Sequence, residues 1–190
     1  MKYLKAFINK KPWEMEFGEL VTFIEENGLR LTHSNDKKYY HFHAIGKYGM
    51  GFMPELIKSK GVDYENLDNL RITEYIYDMD LCMAAADLVI NRAGAATLSE
   101  LQVQGKPSVL IPSPNVAENH QYFNAKALED KGAAIIVEEK ELQSGLLTKT
   151  VLDLIDDKKR LEKMSKAAKS MAVYDANDRI YNCIMELYKK

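Results

Sequence analysis

Cysteine is nearly missing. Cys82 and Cys183 stand about a hundred positions apart and in no C-x-x-C pair, which excludes a disulfide scaffold or thiolate zinc site and suits a reducing compartment. No apolar run approaches the roughly 18 residues that a membrane-crossing helix needs. The opening MKYLKAFINKKPWEMEF holds no uninterrupted apolar core of signal-peptide length. Charge of one sign is not in excess either: the formal net is -2, so nucleic acid is not an expected partner. There is no G-x-S-x-G, no P-loop, no cysteine in an activating context, no internal repeat and no low-complexity linker. Nucleophilic catalysis is therefore unsupported. What remains, 46% hydrophobic and 28% charged residues, is the mix of a soluble globular domain. A cytoplasmic location is expected, with peripheral contact at the inner face of the cell membrane left open.

From residue 39 the chain alternates regularly. Short apolar runs stand at YYHFHAI (39–45), RITEYI (71–76), DLVI (87–90), PSVLIP (107–112) and AAIIVE (133–138), with helical segments between them. Runs rich in Val and Ile suit strands buried on both faces, and the intervening helices suit right-handed crossovers. The expected fold class is α/β, a doubly wound Rossmann-like parallel sheet. After 138 helices take over, and in the last of them Ile180, Ile184 and Leu187 share one face. That stripe is expected to pack on the sheet, with docking of a partner as the rival reading. Residues 1–38 are expected to be mostly helical, around EFGELVTFIEENG, and residues 39–190 to form the ligand-binding domain. Ligands in open α/β sheets sit outside the carboxyl ends of the strands, so the loops after 45, 76, 90 and 112 are the ones to examine.

In RAGAATLSE, residues 92–100, Gly94, Ala95 and Ala96 would let a ligand approach the backbone at a helix start, where free N–H groups attract anions. Glu100 would lie about one turn in, able to accept hydrogen bonds from a ribose diol. The bland reading makes Thr97 and Glu100 a T-x-x-E capping box, and these residues alone favour it. In PSPNVAENHQYFNA a helix is expected near Glu118, crowding Asn119, His120 and Gln121 at a strand end. They suit the hydroxyls of a sugar, or else Asn119 caps the helix and the others are solvated. HAIGKYGMGF leaves a strand with three glycines, but its order is not the dinucleotide fingerprint. His41 and His43 share a strand face and lack a third metal ligand, which favours packing. DMD at 78–80 matches a metal-holding pattern, yet Asp78 as helix N-cap accounts for it. No metal, cofactor or catalytic residue is assigned.

Taken together, YIYDMDLCMAAADLVINRAGAATLSELQVQGKPSVLIPSPNVAENHQYFNAKALEDKGAA resembles the C-terminal, donor-binding half of the MurG family of bacterial peptidoglycan glycosyltransferases. Either element, R-A-G-A-x-T-x-x-E or P-x-P-x-x-x-x-N-H-Q-x-x-N-A, is moderately specific alone; in this order and spacing they are specific as a pair. The resemblance spans roughly residues 39–190 and implies the C-terminal half of a GT-B glycosyltransferase. It further implies that Glu100 holds the ribose and that the Ile76 backbone reads the uracil edge. Arg92, Gly94, Ala95 and Thr97 would form the turn beside the nucleotide. Asn119 stays a candidate from its place at the strand end, while His120 and Gln121 match the pair facing the sugar, with His120 where some members carry glutamine. Gly46 and Lys47 would lie beside the cleft. With the family in view, the ligand role of Glu100 outweighs the cap.

The family transfers N-acetylglucosamine from UDP-N-acetylglucosamine to lipid I, making lipid II, by inverting transfer without a covalent intermediate. Two of its parts are not met: the N-terminal domain holding the lipid-linked acceptor and the proposed base, and the G-G-S-x-G-A phosphate loop. The expected reading is thus the donor half of a hexosyltransferase, inactive without an acceptor domain or subunit. The alternatives are another UDP-sugar enzyme of this fold (a glycolipid transferase or UDP-N-acetylglucosamine 2-epimerase) and a non-catalytic nucleotide-binding or partner-docking module.

Overall fold

The computed structural model describes residues 2–7, 39–59, 61 and 63–188. Six strands form one sheet: β1 (Lys2–Phe7), β2 (Tyr39–Ala44), β3 (Leu70–Thr73), β4 (Leu88–Asn91), β5 (Ser108–Leu110) and β6 (Ala134–Ile136). Their order is β3-β2-β1-β4-β5-β6, and every neighbouring pair is parallel. This is the doubly wound arrangement expected from the alternation of apolar runs and helices. Its strand order reverses between β1 and β4, which places the crevice that such sheets offer to ligands.

The strand β1 is one that the apolar-run pattern did not mark. Residues 1–38 were expected to be mostly helical, yet Lys2–Phe7 pairs with β2 on one side and β4 on the other. KYLKAF carries a lysine every third residue, so it shows neither a continuous apolar run nor a clean alternation. The helix expected around residues 16–28 lies outside the described residues.

Both faces of the sheet are covered, as parallel strands require. Successive side chains of a strand point to opposite faces. Leu88 and Ile90 accordingly join Val109, Val151, Leu154 and Ile155 in one apolar cluster. Val89 joins Leu98, Leu101, Ala125 and Leu128 in the other. The first cluster is closed by α6 (Leu146–Asp156) and by α7 (Lys158–Ser170). The second lies under α4 (Ala95–Gln104) and α5 (His120–Asp130). Three shorter helices, α1 (Gly46–Met50), α2 (Met53–Ser59) and α3 (Met79–Ala85), complete the crossovers after β2 and β3. Lys106 donates to the carbonyls of Ala84 and Ala86, tying the end of α3 to the loop before β5.

The last helix, α8 (Ala176–Tyr188), corrects an expectation. None of its residues is buried, and Ile180, Ile184 and Leu187 are 59%, 58% and 69% exposed. Its apolar stripe does not pack on the sheet.

Candidate functional site

The strand β4 runs into α4 through Arg92, Ala93 and Gly94. The helix start lies three residues before the place that T-x-x-E predicts, with two alanines in its first turn. The helix begins at Ala95 with Gly94 as N-cap, and no side chain caps it. Thr97 and Glu100 are then the third and sixth helical residues, so the expected capping box does not form. The first helical hydrogen bond runs from Leu98 N–H to the Gly94 carbonyl at 3.0 Å, which leaves the N–H groups of the opening turn without intrahelical partners. Gly94 itself has ordinary backbone angles, φ -70° and ψ 135°. A Cβ built there would meet no atom within 4 Å. Neither backbone conformation nor crowding by the protein calls for glycine at this position. Glu100 is exposed, and its carboxylate makes no hydrogen bond or ion pair with a described residue.

The strand β5 leaves through Pro112–Pro114 toward a 3₁₀ turn, Ala117–Asn119, and α5 starts at His120 rather than near Glu118. Glu118 and Asn119 adopt left-handed backbone angles, φ 54° and 51°, a region where Asn is tolerated better than most residues. Asn119 is the N-cap by position, but its side chain makes no capping bond. Of the expected trio only Gln121 reaches the cleft. The Ser113 N–H donates to Gln121 Oε1 at 2.8 Å, which fixes the side-chain amide against the β5 exit. His120 is exposed, its Nδ1 lying 2.9 Å from the Ala117 carbonyl. Asn124, one turn on, donates from Nδ2 to the Ala93 carbonyl at 3.2 Å. The helix α5 thus holds both strand exits.

On the other side of the switch point, Ile45 N–H donates to the Thr73 carbonyl at 2.9 Å and Gly46 N–H to the Glu74 carbonyl at 3.0 Å. These bonds join the exits of β2 and β3. Gly46 takes φ +72°, where a side chain would be strained. The Ile76 side chain is 3% exposed, and its backbone groups pair with no described residue.

The chain after β2, β3 and β4 and the first turn of α5 open on one cleft of about 270 Å³. Of the ten expected site residues, Gly46, Ile76, Arg92, Gly94, Thr97, Glu100 and Gln121 line it, whereas Ala95, Asn119 and His120 do not. Lys47 is exposed beside it. The cleft also takes Glu74, Tyr75, Met79 and Asn91, which the motif reading did not name. Tyr75 is the clearest signal it passed over, an aromatic 57% exposed at a strand's carboxyl end.

Arg92 lines the cleft but sends its charge elsewhere. Its Nη1 donates to the Ile111 carbonyl and its Nη2 to Glu139 Oε2, each at 2.8 Å. Burial lowers the guanidinium's pKa, and the Glu139 carboxylate works in the opposite direction. His41 and His43 are buried, with parallel rings 5.8 Å apart. Burial brings their pKa values down to about 4 and about 3, the second aided by the neighbouring ring. Among the described residues no group of three or more His, Cys, Asp or Glu could hold a metal ion. Asp78 stands at the N-cap of α3 with no side-chain capping bond.

A doubly wound parallel sheet whose small-residue turns open at the switch point belongs to the α/β class that binds its ligands there. Residues 16–180 match the glycosyltransferase family 28 C-terminal domain, and the chain belongs to that family. It is similar to two enzymes named UDP-N-acetylglucosamine–N-acetylmuramyl-(pentapeptide) pyrophosphoryl-undecaprenol N-acetylglucosamine transferase. The one from Acetivibrio thermocellus is 42% identical over 162 residues, covering 85% of this chain and 42% of the relative. The one from Desulforamulus reducens is 37% identical over 155 residues, 82% of this chain and 42% of the relative. The chain therefore spans less than half the length of these relatives. Among solved structures, MurG of Acinetobacter baumannii superposes with a TM-score of 0.74 at 23% identity, over 98% of this chain and 52% of that one. A putative UDP-N-acetylglucosamine 2-epimerase from Listeria monocytogenes gives 0.63 at 15% identity, over 99% and 46%. These likenesses establish the fold, a half of the two-domain GT-B architecture.

Proposed function

We propose that this chain is the donor-binding half of an inverting N-acetylglucosaminyltransferase. It holds UDP-N-acetylglucosamine while a separate acceptor domain or subunit presents lipid I, and the product is lipid II for peptidoglycan. The observation that carries this reading is Gly94, a glycine with unremarkable angles and an open space where its side chain would be. A ligand that must approach the backbone adds a reason for it beyond the ordinary N-cap preference for glycine over alanine.

The roles follow from the cleft. The unpaired Glu100 carboxylate accepts from the ribose hydroxyls, and the Ile76 backbone offers a donor and an acceptor to the uracil edge. The uncapped start of α4 carries partial positive charge and faces the diphosphate, with Thr97 beside it. Gln121, oriented by Ser113, offers its amide N–H groups to the sugar. In the reaction the acceptor hydroxyl bonds to the anomeric carbon on the face opposite UDP. The bond to the β-phosphate oxygen breaks, and UDP leaves with that electron pair. Stabilising this growing charge is the work of the donor half. The acceptor's proton goes to a base that the acceptor domain supplies.

The exposed stripe of α8 is the surface on which the acceptor domain would seat. With a lipid-linked acceptor, the assembled enzyme works at the cytoplasmic face of the membrane; no described helix is long and apolar enough to cross one. The test is reconstitution. Mixing the chain with the isolated acceptor domain of a relative and a lipid I analogue should release UDP from UDP-N-acetylglucosamine, with neither part active alone. A chain that binds UDP but never turns over with any acceptor domain contradicts the transferase reading and leaves a nucleotide-binding module.

A further inference from the structure

The Arg92 guanidinium lies across three neighbouring strand exits. It starts from the end of β4, donates to the carbonyl of Ile111 just past β5, and donates to Glu139 just past β6. The ion pair is well shielded, with the Arg92 and Glu139 side chains 8% and 13% exposed. Glu139 is held firmly from its own side. It opens the 3₁₀ segment Glu139–Ser144, whose start is fixed by a reciprocal capping box between Glu138 and Glu141. A planar fork can satisfy a carbonyl and a carboxylate at once, which a lysine ammonium cannot do with the same geometry.

We propose that Glu139 is a positioning residue for the cleft. By holding the Arg92 guanidinium against the Ile111 carbonyl, it sets where the Ala93–Gly94–Ala95 backbone stands relative to the rim that carries Gln121. Without the carboxylate, Arg92 is a buried cation with one carbonyl for company. The cleft, which Arg92 already lines, is then the nearest route to water. Turning toward it would carry the start of α4 out of place. The inference rests on the donor-binding reading for its ligand, but its geometric half does not depend on it.

The experiment compares the 190-residue chain with Glu139→Gln and Glu139→Asp, the latter keeping the charge should the former fail to fold. Amide hydrogen exchange at residues 93–97 is read without ligand, UDP affinity by calorimetry, and the thermal midpoint alongside. In Glu139→Gln, exchange at 93–97 should speed up on the order of tenfold, and UDP affinity should fall by about tenfold or more, the scale of a small misplacement. Glu139→Asp should recover part of both. A lowered midpoint with unchanged exchange and affinity would reduce the pair to a structural tie and overturn the inference. Tighter UDP binding in Glu139→Gln would also overturn it, because it would mean the released Arg92 is itself a ligand. If the unaltered chain binds no UDP, the donor reading fails, and exchange at 93–97 alone decides this one.

Discussion

Gly94 faces two opposed effects when replaced by alanine. At an N-cap, alanine is worse than glycine by several tenths of a kcal/mol to about 1 kcal/mol. At angles an alanine can adopt, removing a glycine gains about 0.4–1 kcal/mol through the unfolded chain. The two nearly cancel, so Gly94→Ala should leave the urea midpoint almost unmoved. Glu100 behaves differently. An ionised acceptor of two ribose hydroxyls contributes about 1.5–3 kcal/mol per hydrogen bond, so Glu100→Ala should weaken UDP at least about tenfold while leaving uracil-edge contacts intact. Titration with UDP and with UDP lacking the ribose diol checks this: the variant's loss should vanish for the dideoxy analogue. At His41 and His43 the sign is fixed by burial. Their folded pKa values, about 4 and about 3, lie below the ordinary 6.5, so the unfolded chain takes up protons first as pH falls. Stability contributed by the neutral rings is full above pH 6.5 and is lost below it, at up to about 1.4 kcal/mol per pH unit for each histidine. Urea unfolding at pH 7, 6 and 5 should show this decline, and His41→Gln should flatten it. A midpoint independent of pH over that window contradicts the burial of the pair.

At the scale of elements, the runs of Val, Ile and Leu in β4, β5 and β6 were legible because a strand covered on both faces has little choice but to be apolar, and β2 was legible as the aromatic-rich run YYHFHA. The strand β1 was not legible, because its lysines break the run and its place is decided by pairing with β2 and β4. Helix starts were legible only to within two or three residues. T-x-x-E at 97–100 signals a start, but Ala95 and Ala96 extend the helix past it. The Arg92–Glu139 contact joins residues 47 positions apart, and no local pattern marks it. Packing at this scale is testable through α6. Leu154 is fully buried against β4 and β5, and Leu154→Ala should cost about 2–5 kcal/mol. The helix α8 should respond in the opposite way. Ile180→Asp with Ile184→Asp should change the chain's own stability by less than about 0.5 kcal/mol for each substitution while abolishing association with an acceptor domain. Analytical ultracentrifugation of the mixture reads the second outcome and thermal unfolding the first.

For the whole molecule, three loops and a helix start from both sides of the switch point converge on one cleft, and the last helix keeps an exposed apolar face. The motif pair locates the cleft from sequence because each motif combines a strand end with a helix start, which is where such sheets bind. Distinguishing the residues that face the ligand from those that brace the rim needs the fold itself. Arg92 and Glu100 stand eight positions apart in one motif, yet one is buried in an ion pair and the other is open to the cleft. The central claim is that a ligand, not the protein, requires the small turn at the head of α4. Calorimetric titration of UDP into the chain and into Gly94→Ala tests it most directly. One binding site is expected in the first and affinity lowered at least about tenfold in the second, with unfolding midpoints that agree. Equal affinities, or no UDP binding to the unaltered chain, would contradict it.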